Sequence, residues 1–233
     1  MTTVSIHQPE YLPWIGFFKK ILDSDIFVIY DDIQFEKKDW QNRNQICSNG
    51  KPILLSVPIK SHLKSKIFEI DIDNSKNWSD KHKKSIMFSY STSKFYNEMN
   101  EFIDELYDKK FDKLIDLNYE IIKTILSKLN INTKIVFSSE LKILESDSNK
   151  ILSICKKLKA TKYITGTSWA QENLNKDDFI NNKINLEFRT LNHPIYHQPK
   201  NTFLPNMSII DLLFNEGKIS ARTILEKSEV ITS

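Results

Sequence analysis

Hydrophobic residues along this chain fall into two patterns that take turns. Short apolar runs of strand length, at residues 4–6, 26–30, 53–59, 67–72, 134–137, 162–165 and 184–188, are separated by stretches where apolar residues recur at helical spacing. Strands alternating with amphipathic helices predict an α/β fold, a largely parallel Rossmann-like sheet flanked by helices. The first unit reads strand, helix, strand, with Phe17, Phe18, Ile21 and Leu22 as the helix's apolar stripe and Asp31-Asp32 closing the second strand. The runs 53–59 and 67–72 flank the lysine-rich segment Lys60-Ser61-His62-Leu63-Lys64-Ser65-Lys66 and predict a β-hairpin or flap.

Between about 76 and 130 the period is helical throughout, which predicts a central helical insertion within a single α/β domain covering 1–233. Alternation then resumes, with a helix over 148–158 capped by Asp147 or Ser148. Two helices, at 208–215 and 220–227 with Gly217 between them, follow at the end.

The first strand runs into Ile6-His7-Gln8-Pro9-Glu10-Tyr11-Leu12-Pro13-Trp14-Ile15-Gly16-Phe17-Phe18. Each proline fixes its own φ and pushes its predecessor away from the α region, so Gln8 and Leu12 are predicted to be extended and the turn stiff. His7 therefore stands in a defined direction at the end of a buried strand, where a neutral imidazole titrating near neutrality suits acid–base chemistry. Capping the following helix is its competing, purely structural role. Gln8, Tyr11 and Trp14 add an amide, a phenol and an indole around it.

Loops at the carboxyl ends of adjacent parallel strands meet over one crevice, which predicts that Asp31 faces His7. Asp32, Trp40, Gln41, Asn42 and Arg43 continue the loop after Asp31, and Arg43 suits bidentate binding of phosphate or carboxylate. Turn chemistry for Asp32 and a partly buried anchor for Trp40 are the bland counterparts. Gly166, Thr167 and Ser168 follow a strand and precede a helix, as an anion site or a simple N-cap would. His193, Tyr196 and Gln198 share a proline-bounded loop, which makes His193 a second acid–base candidate. Trp78 and His82 share a helix face, where a structural surface role weighs as much as a functional one.

Composition narrows the field. A chain of 233 residues, 40% hydrophobic and 27% charged, buries a full core. A net charge of +3 with both signs interspersed leaves no basic stripe, which argues against a nucleic-acid partner. With four glycines there is no glycine-rich phosphate loop of the Walker or dinucleotide type. The five histidines show no zinc spacing, so metal-free chemistry with no tightly bound cofactor is expected. Cys47, placed in a polar loop, and Cys155, in a helical apolar phase, read as reduced thiols. No leader pattern and no apolar stretch of about 20 residues appear, which predicts no membrane insertion and a cytoplasmic location.

The motifs also carry a family resemblance. His7-Gln8-Pro9 through Phe17, Ser24-Asp25, Asp31 to Phe35, Gln41-Asn42-Arg43, Val57-Pro58, Trp78 with His82, Tyr90, residues 165–168, His193-Pro194 with Tyr196 and Gln198, and residues 203–214 closely resemble the WbqC-like protein family. The resemblance runs from about residue 4 to 217 and implies a place in biosynthesis of surface polysaccharides of the O-antigen, lipopolysaccharide type. A glycine-transferase role suggested for the family implies acyl or aminoacyl transfer to the amino group of a nucleotide-linked amino sugar. The donor would be an acyl or aminoacyl compound, a CoA thioester among the classes. On this chain His7 and Asp31 take the acid–base roles, with His193 as the other base candidate. Residues 166–168 or Arg43 would hold an oxyanion or diphosphate, and Tyr11, Trp14 or Trp40 would stack on a base or sugar. Two alternatives stand beside it: a nucleotidyltransferase-like enzyme, weakened by the lack of a second histidine three residues after His7, and a non-catalytic sugar-nucleotide-binding protein.

Overall fold

A computed structural model describes residues 1–60, 64–200 and 202–232, without the side chains of Asp147 and Ser168. The first unit is strand β1 (Thr3–His7), helix α1 (Ile15–Leu22) and strand β2 (Ile26–Ile29). Strands β3 (Arg43–Ser48) and β4 (Lys51–Ser56) form a hairpin, and the two-residue strands β5 (Ile59–Lys60) and β6 (Asp71–Ile72) pair beside it. Helices α2 (Trp78–Tyr90), α3 (Tyr96–Asp108) and α4 (Leu114–Lys128) fill the stretch expected to be helical. Then come β7 (Lys134–Phe137), α5 (Asp147–Lys157), β8 (Lys162–Thr165), α6 (Ser168–Asn173), α7 (Lys176–Asn181) and β9 (Asn185–Leu191). Helix α8 (Ile209–Lys227), broken at Gly217, whose φ is 72°, into the two helices expected on either side of it, and strand β10 (Val230–Thr232) follow.

The main sheet has six strands in the order β10-β9-β8-β1-β2-β7, all parallel except β10, which runs antiparallel to β9. This is the mixed α/β architecture with a mostly parallel sheet that the apolar runs predict. Alternation along the strands separates two cores. Val4, Ile6 and Val28 join Ile151, Ile154, Cys155 and Phe179 on one face, while Phe27 and Ile29 join α1, the helical stretch and α8 on the other. The chain therefore builds outward from β1 to β2 and β7, then returns to the opposite side of β1 with β8. The carboxyl ends of β1 and β8 are a topological switch point.

Three local expectations are corrected. Residues 43–48 were expected in a polar loop, with Cys47 among them; they form β3, turning at Asn49-Gly50, both in the left-handed region, into β4. Residues 67–72 were expected as one strand, yet 67–69 are a single 3-10 turn and only the short β6 pairs. The tip of the expected flap, residues 61–63, lies outside the described residues. Leu12 is not extended: its φ is 45°, although Pro13 follows it. Its side chain is fully buried and its carbonyl accepts a hydrogen bond from Asn44 Nδ2 at 2.8 Å, so packing holds a backbone geometry that a leucine rarely adopts.

Several motif residues prove to be parts of this framework. Asp211, fully buried in the first turn of α8, accepts hydrogen bonds from Tyr90 Oη at 2.9 Å, Tyr196 Oη at 2.8 Å and Gln198 Nε2 at 2.8 Å. Gln198 closes its own loop as well, bonding the backbone of Leu204 through both ends of its amide. Tyr11 Oη meets His82 Nδ1 at 2.8 Å and also Tyr107 Oη, all three rings being buried. His82, for which a surface role and a substrate-binding one were weighed equally, is thus internal. Burial pushes its pKa down to about 4, against a hydrogen bond to the Ser56 backbone that favours the charged form.

Two outcomes follow for stability. Asp211→Ala leaves three buried donors short of their acceptor and should cost about 3 kcal/mol in urea unfolding, with Asp211→Asn costing less; a loss under about 1 kcal/mol would contradict the account. His82 folds neutral but takes up a proton below pH 6.5 once unfolded, so stability is lost as pH falls from 6.5 towards 4. At pH 5 that amounts to about 2 kcal/mol. His82→Gln should be less stable than wild type at pH 7 but show a shallower decline to pH 5; parallel declines would contradict it.

Candidate functional site

Two adjoining cavities open at the switch point. The larger, about 740 Å³, is lined by residues after β1, β2 and β8, among them His7, Gln8, Glu10, Tyr30, Trp40, Gly166 and Trp169. The smaller, about 220 Å³, lies against α1 and β9, with Trp14, Phe17, Lys19, Thr167 and Arg189 in its wall. His7, Lys20 and Gly166 border both. Their combined size is that of a site for a small-molecule ligand.

His7 is placed by the strand register: Ser5 and His7 point to the α1 side, and the imidazole packs edge-on against Phe17 with ring centroids 5.4 Å apart. Its Nδ1 lies 2.9 Å from the Gln8 carbonyl, an acceptor only, so Nδ1 carries the proton and Nε2 keeps its lone pair. Among the described residues nothing hydrogen-bonds Nε2. Burial, helped by the charge of Lys20, pushes the His7 pKa down to about 3, against the expectation of titration near neutrality. The free imidazole is a neutral acceptor; an anion bound beside it would raise its basicity.

Gln8 is clamped from both ends, accepting from Gln41 Nε2 at 2.9 Å and donating to Asp39. Gln41 is itself fully buried and bonded to the Glu36 backbone N–H, so it supports the wall without lining it. Trp40, 41% exposed, gives the larger cavity an aromatic wall, and its carbonyl accepts from the Tyr11 backbone N–H at 3.1 Å. Trp14 lines the smaller cavity over Gly16, where a Cβ would come within 2.3 Å of the indole. At Gly166 a Cβ would meet nothing within 4 Å, so there the glycine serves no close packing.

Other expected residues stand elsewhere. Asp31 does not face His7: beyond Ile29 the chain turns towards the β7 edge, and its carboxylate accepts from Ser138 Oγ, Ser139 N and Ser139 Oγ at 3.0, 3.0 and 2.7 Å. Asp32 bonds Ser138 and pairs with Lys150, both side chains being almost wholly buried. Asn42 Nδ2 bonds the Val57 carbonyl, and Arg43 opens β3 away from both cavities. Tyr11, His82, Tyr196 and Gln198 belong to the framework already described. His193 stacks 6.3 Å from Trp14, and its ring nitrogens are both taken, Nδ1 by the Pro194 carbonyl and Nε2 by the Asn206 backbone N–H. It props the indole that lines the cavity. The Ser168 side chain lies outside the described residues, and α6, six residues long, supplies little of a helix dipole to an anion.

The crevice also holds groups that the pattern reading passed over. Glu10 is buried in the larger cavity, and burial pushes its pKa up to about 8 against the pull of Lys20. Lys20, pushed down to about 8 by burial, forms no ion pair among the described residues. Arg189 and Lys19 are tied to Asp23 at 3.0 and 2.9 Å. Trp169 and Tyr30 complete the aromatic wall. A signal for Lys20 exists: it lies one helical turn after Phe17, which packs on His7, and shares its face. Among the described residues, no cluster of His, Cys, Asp or Glu could hold a metal ion and no helix is long and apolar enough to cross a membrane.

Known proteins supply the remaining bearings. The model of the WbqC-like protein family matches residues 8–223. An uncharacterized protein of Mycobacterium tuberculosis, Rv1507c, is 30% identical over 223 residues, covering 93% of this chain and 95% of its own length. No solved structure matches. With the match spanning both the turn after β1 and the buried Asp211 lock that supports it, the chain belongs to the WbqC-like protein family.

Proposed function

We propose that the protein is a transferase of surface-polysaccharide biosynthesis that passes an acyl or aminoacyl group to the amino group of a nucleotide-linked amino sugar. One observation carries the reading: the crevice at the switch point is lined by His7, whose Nε2 is open, by an aromatic wall and by Lys20, which forms no ion pair among the described residues. Trp40, Trp169 and Tyr30 offer faces for a nucleobase or sugar, and Lys20 offers a charge for a diphosphate. A diphosphate close to His7 would raise the imidazole's basicity and suit it to proton transfer.

The chemistry balances without a further reactant. The sugar ammonium gives up a proton, its nitrogen attacks the carbonyl of an activated donor such as a thioester, and a C–N bond forms as the C–S bond breaks. The departing thiolate takes the electron pair and one of the two protons the nitrogen loses, and the other passes to solvent.

A second reading, nucleotidyl transfer, draws on the strand order β7-β2-β1-β8-β9 with a histidine ending β1. Glu10 stands where that reading would want a second histidine.

Purified protein incubated with amino-sugar nucleotides and either acyl-CoA or glycyl donors should yield the acylated sugar nucleotide by mass spectrometry. His7→Ala should slow the reaction at least ~100-fold. Undiminished turnover in that variant would remove His7 from the chemistry, and pyrophosphate release from a nucleoside triphosphate would favour the second reading instead.

A further inference from the structure

Glu10 stands between Pro9 and Tyr11 with only 3% of its surface exposed, and it lines the larger cavity. Its Oε2 is buried without a hydrogen-bond partner among the described residues. Oε1 lies 3.8 Å from His7 Nδ1, but that nitrogen's proton is directed to the Gln8 carbonyl at 2.9 Å. A buried carboxylate oxygen lacking a donor is costly, and a ligand that brings an N–H or O–H to it recovers that cost. The groups around it are His7 on β1, Lys20 on α1, and Glu36, Asp39 and Tyr30 on the segment after β2. Asp39 is occupied by Gln8, and Lys20 lies at the junction with the smaller cavity. The larger cavity thus sets a donor-hungry carboxyl group near Lys20, which forms no ion pair among the described residues, an arrangement that sorts a ligand carrying both an amine and an anionic group.

We infer that Glu10 receives the substrate's amino group, Oε2 accepting an ammonium N–H and then its proton as the nitrogen becomes a nucleophile. The inference rests on the proposed reading of the crevice as a site for an amino-sugar nucleotide. In the step an N–H bond breaks with its electron pair left on nitrogen, and an O–H bond forms on Glu10. Burial supports this assignment: a carboxyl pushed up to about 8 is protonated in the empty crevice, gives that proton to solvent when an ammonium binds beside it, and then stands close enough to the amine in proton affinity to take its proton. Once the bound ammonium has ionised Glu10, its lone pairs turn phosphate or carboxylate groups away, and these find Lys20 instead.

The test is titration calorimetry on the full chain with UDP-glucosamine against UDP-glucose, which differ only in amine for hydroxyl, and with a thymidine-diphosphate pair differing in the same way. Wild type should bind the amine of a pair about tenfold more tightly than its hydroxyl parent, a difference of about 1.4 kcal/mol. Glu10→Gln should reduce the preference to within about twofold, weakening the amine far more than the hydroxyl parent, and Glu10→Asp should keep part of it. A preference that survives in Glu10→Gln, or that is absent from wild type while both sugars bind, overturns the inference alone. Failure of wild type to bind any of the four overturns the nucleotide-sugar reading and the inference with it. Should Glu10→Gln fail to fold, the wild-type preference and its change in Glu10→Asp decide the matter.

Discussion

The structure depends on satisfying the backbone of a turn that cannot satisfy itself. Residues 8–14 contain two prolines and a left-handed Leu12, so the segment lacks two N–H donors and forms no regular ladder. Its buried polar groups are paired by distant parts of the chain instead. The Tyr11 N–H goes to Trp40, the Leu12 carbonyl to Asn44, and the Pro13 carbonyl to the Ile209 N–H. Each of these partners must itself be held, which is the work of the β3–β4 hairpin, the loop before it and the start of α8. The Asp211 lock fixes that start. A turn stabilised in this way is rigid because several elements would have to separate before it could move.

Rigidity of the turn is what gives the crevice its electrostatic character. His7, Glu10 and Lys20 are brought together by a strand end, a turn and the helix that follows, all within fourteen positions of one another. Among the described residues none of them finds a full partner: His7 keeps an open lone pair, Glu10 an open oxygen, and Lys20 a charge in no ion pair. Contrast Asp31 and Asp32, which are equally buried but saturated by Ser138, Ser139 and Lys150. The same low-polarity interior that makes saturated charges structural makes unsaturated ones responsive to a ligand. Unfilled hydrogen-bonding capacity that opens on the crevice, rather than charge or burial alone, marks the site; Asn42, Arg43, Ser89, Asn100 and Asn118 also carry unpartnered buried atoms, but none of them lines either cavity.

Much of this was legible in the residues and some of it was not, for physical reasons. Apolar runs marked the buried parallel strands well, since strands covered on both faces are continuous stretches of Val, Ile and Phe. Strand β3 escaped because Arg43-Asn44-Gln45 looks like solvent-facing loop, yet Asn44 is polar in order to bond the Leu12 carbonyl and Gln45 offers its carbonyl to Ser208. His7 was visible as a residue delivered by a strand into a stiff turn. Asp31 was misjudged because adjacency of strand ends says which loops meet, not which way a side chain turns once the strand has ended. Leu12 defied the proline rule because its steric cost is outweighed by a fully buried side chain and a paired carbonyl.

Glu10 illustrates the harder limit. Within the motif it is flanked by residues whose jobs are structural, Pro9 setting the backbone and Tyr11 reaching into the His82 and Tyr107 network. Nothing in its spacing distinguishes it from a solvent-facing turn residue, which is what a glutamate between a proline and a tyrosine ordinarily is. Its burial follows from neighbours far along the chain, Asp39 and Trp40 on one side and Lys20 on the other. A motif that identifies a family therefore does not by itself sort the residues that bind from those that build. Here most of its members build, and they build around the few groups left with hydrogen bonds still to make.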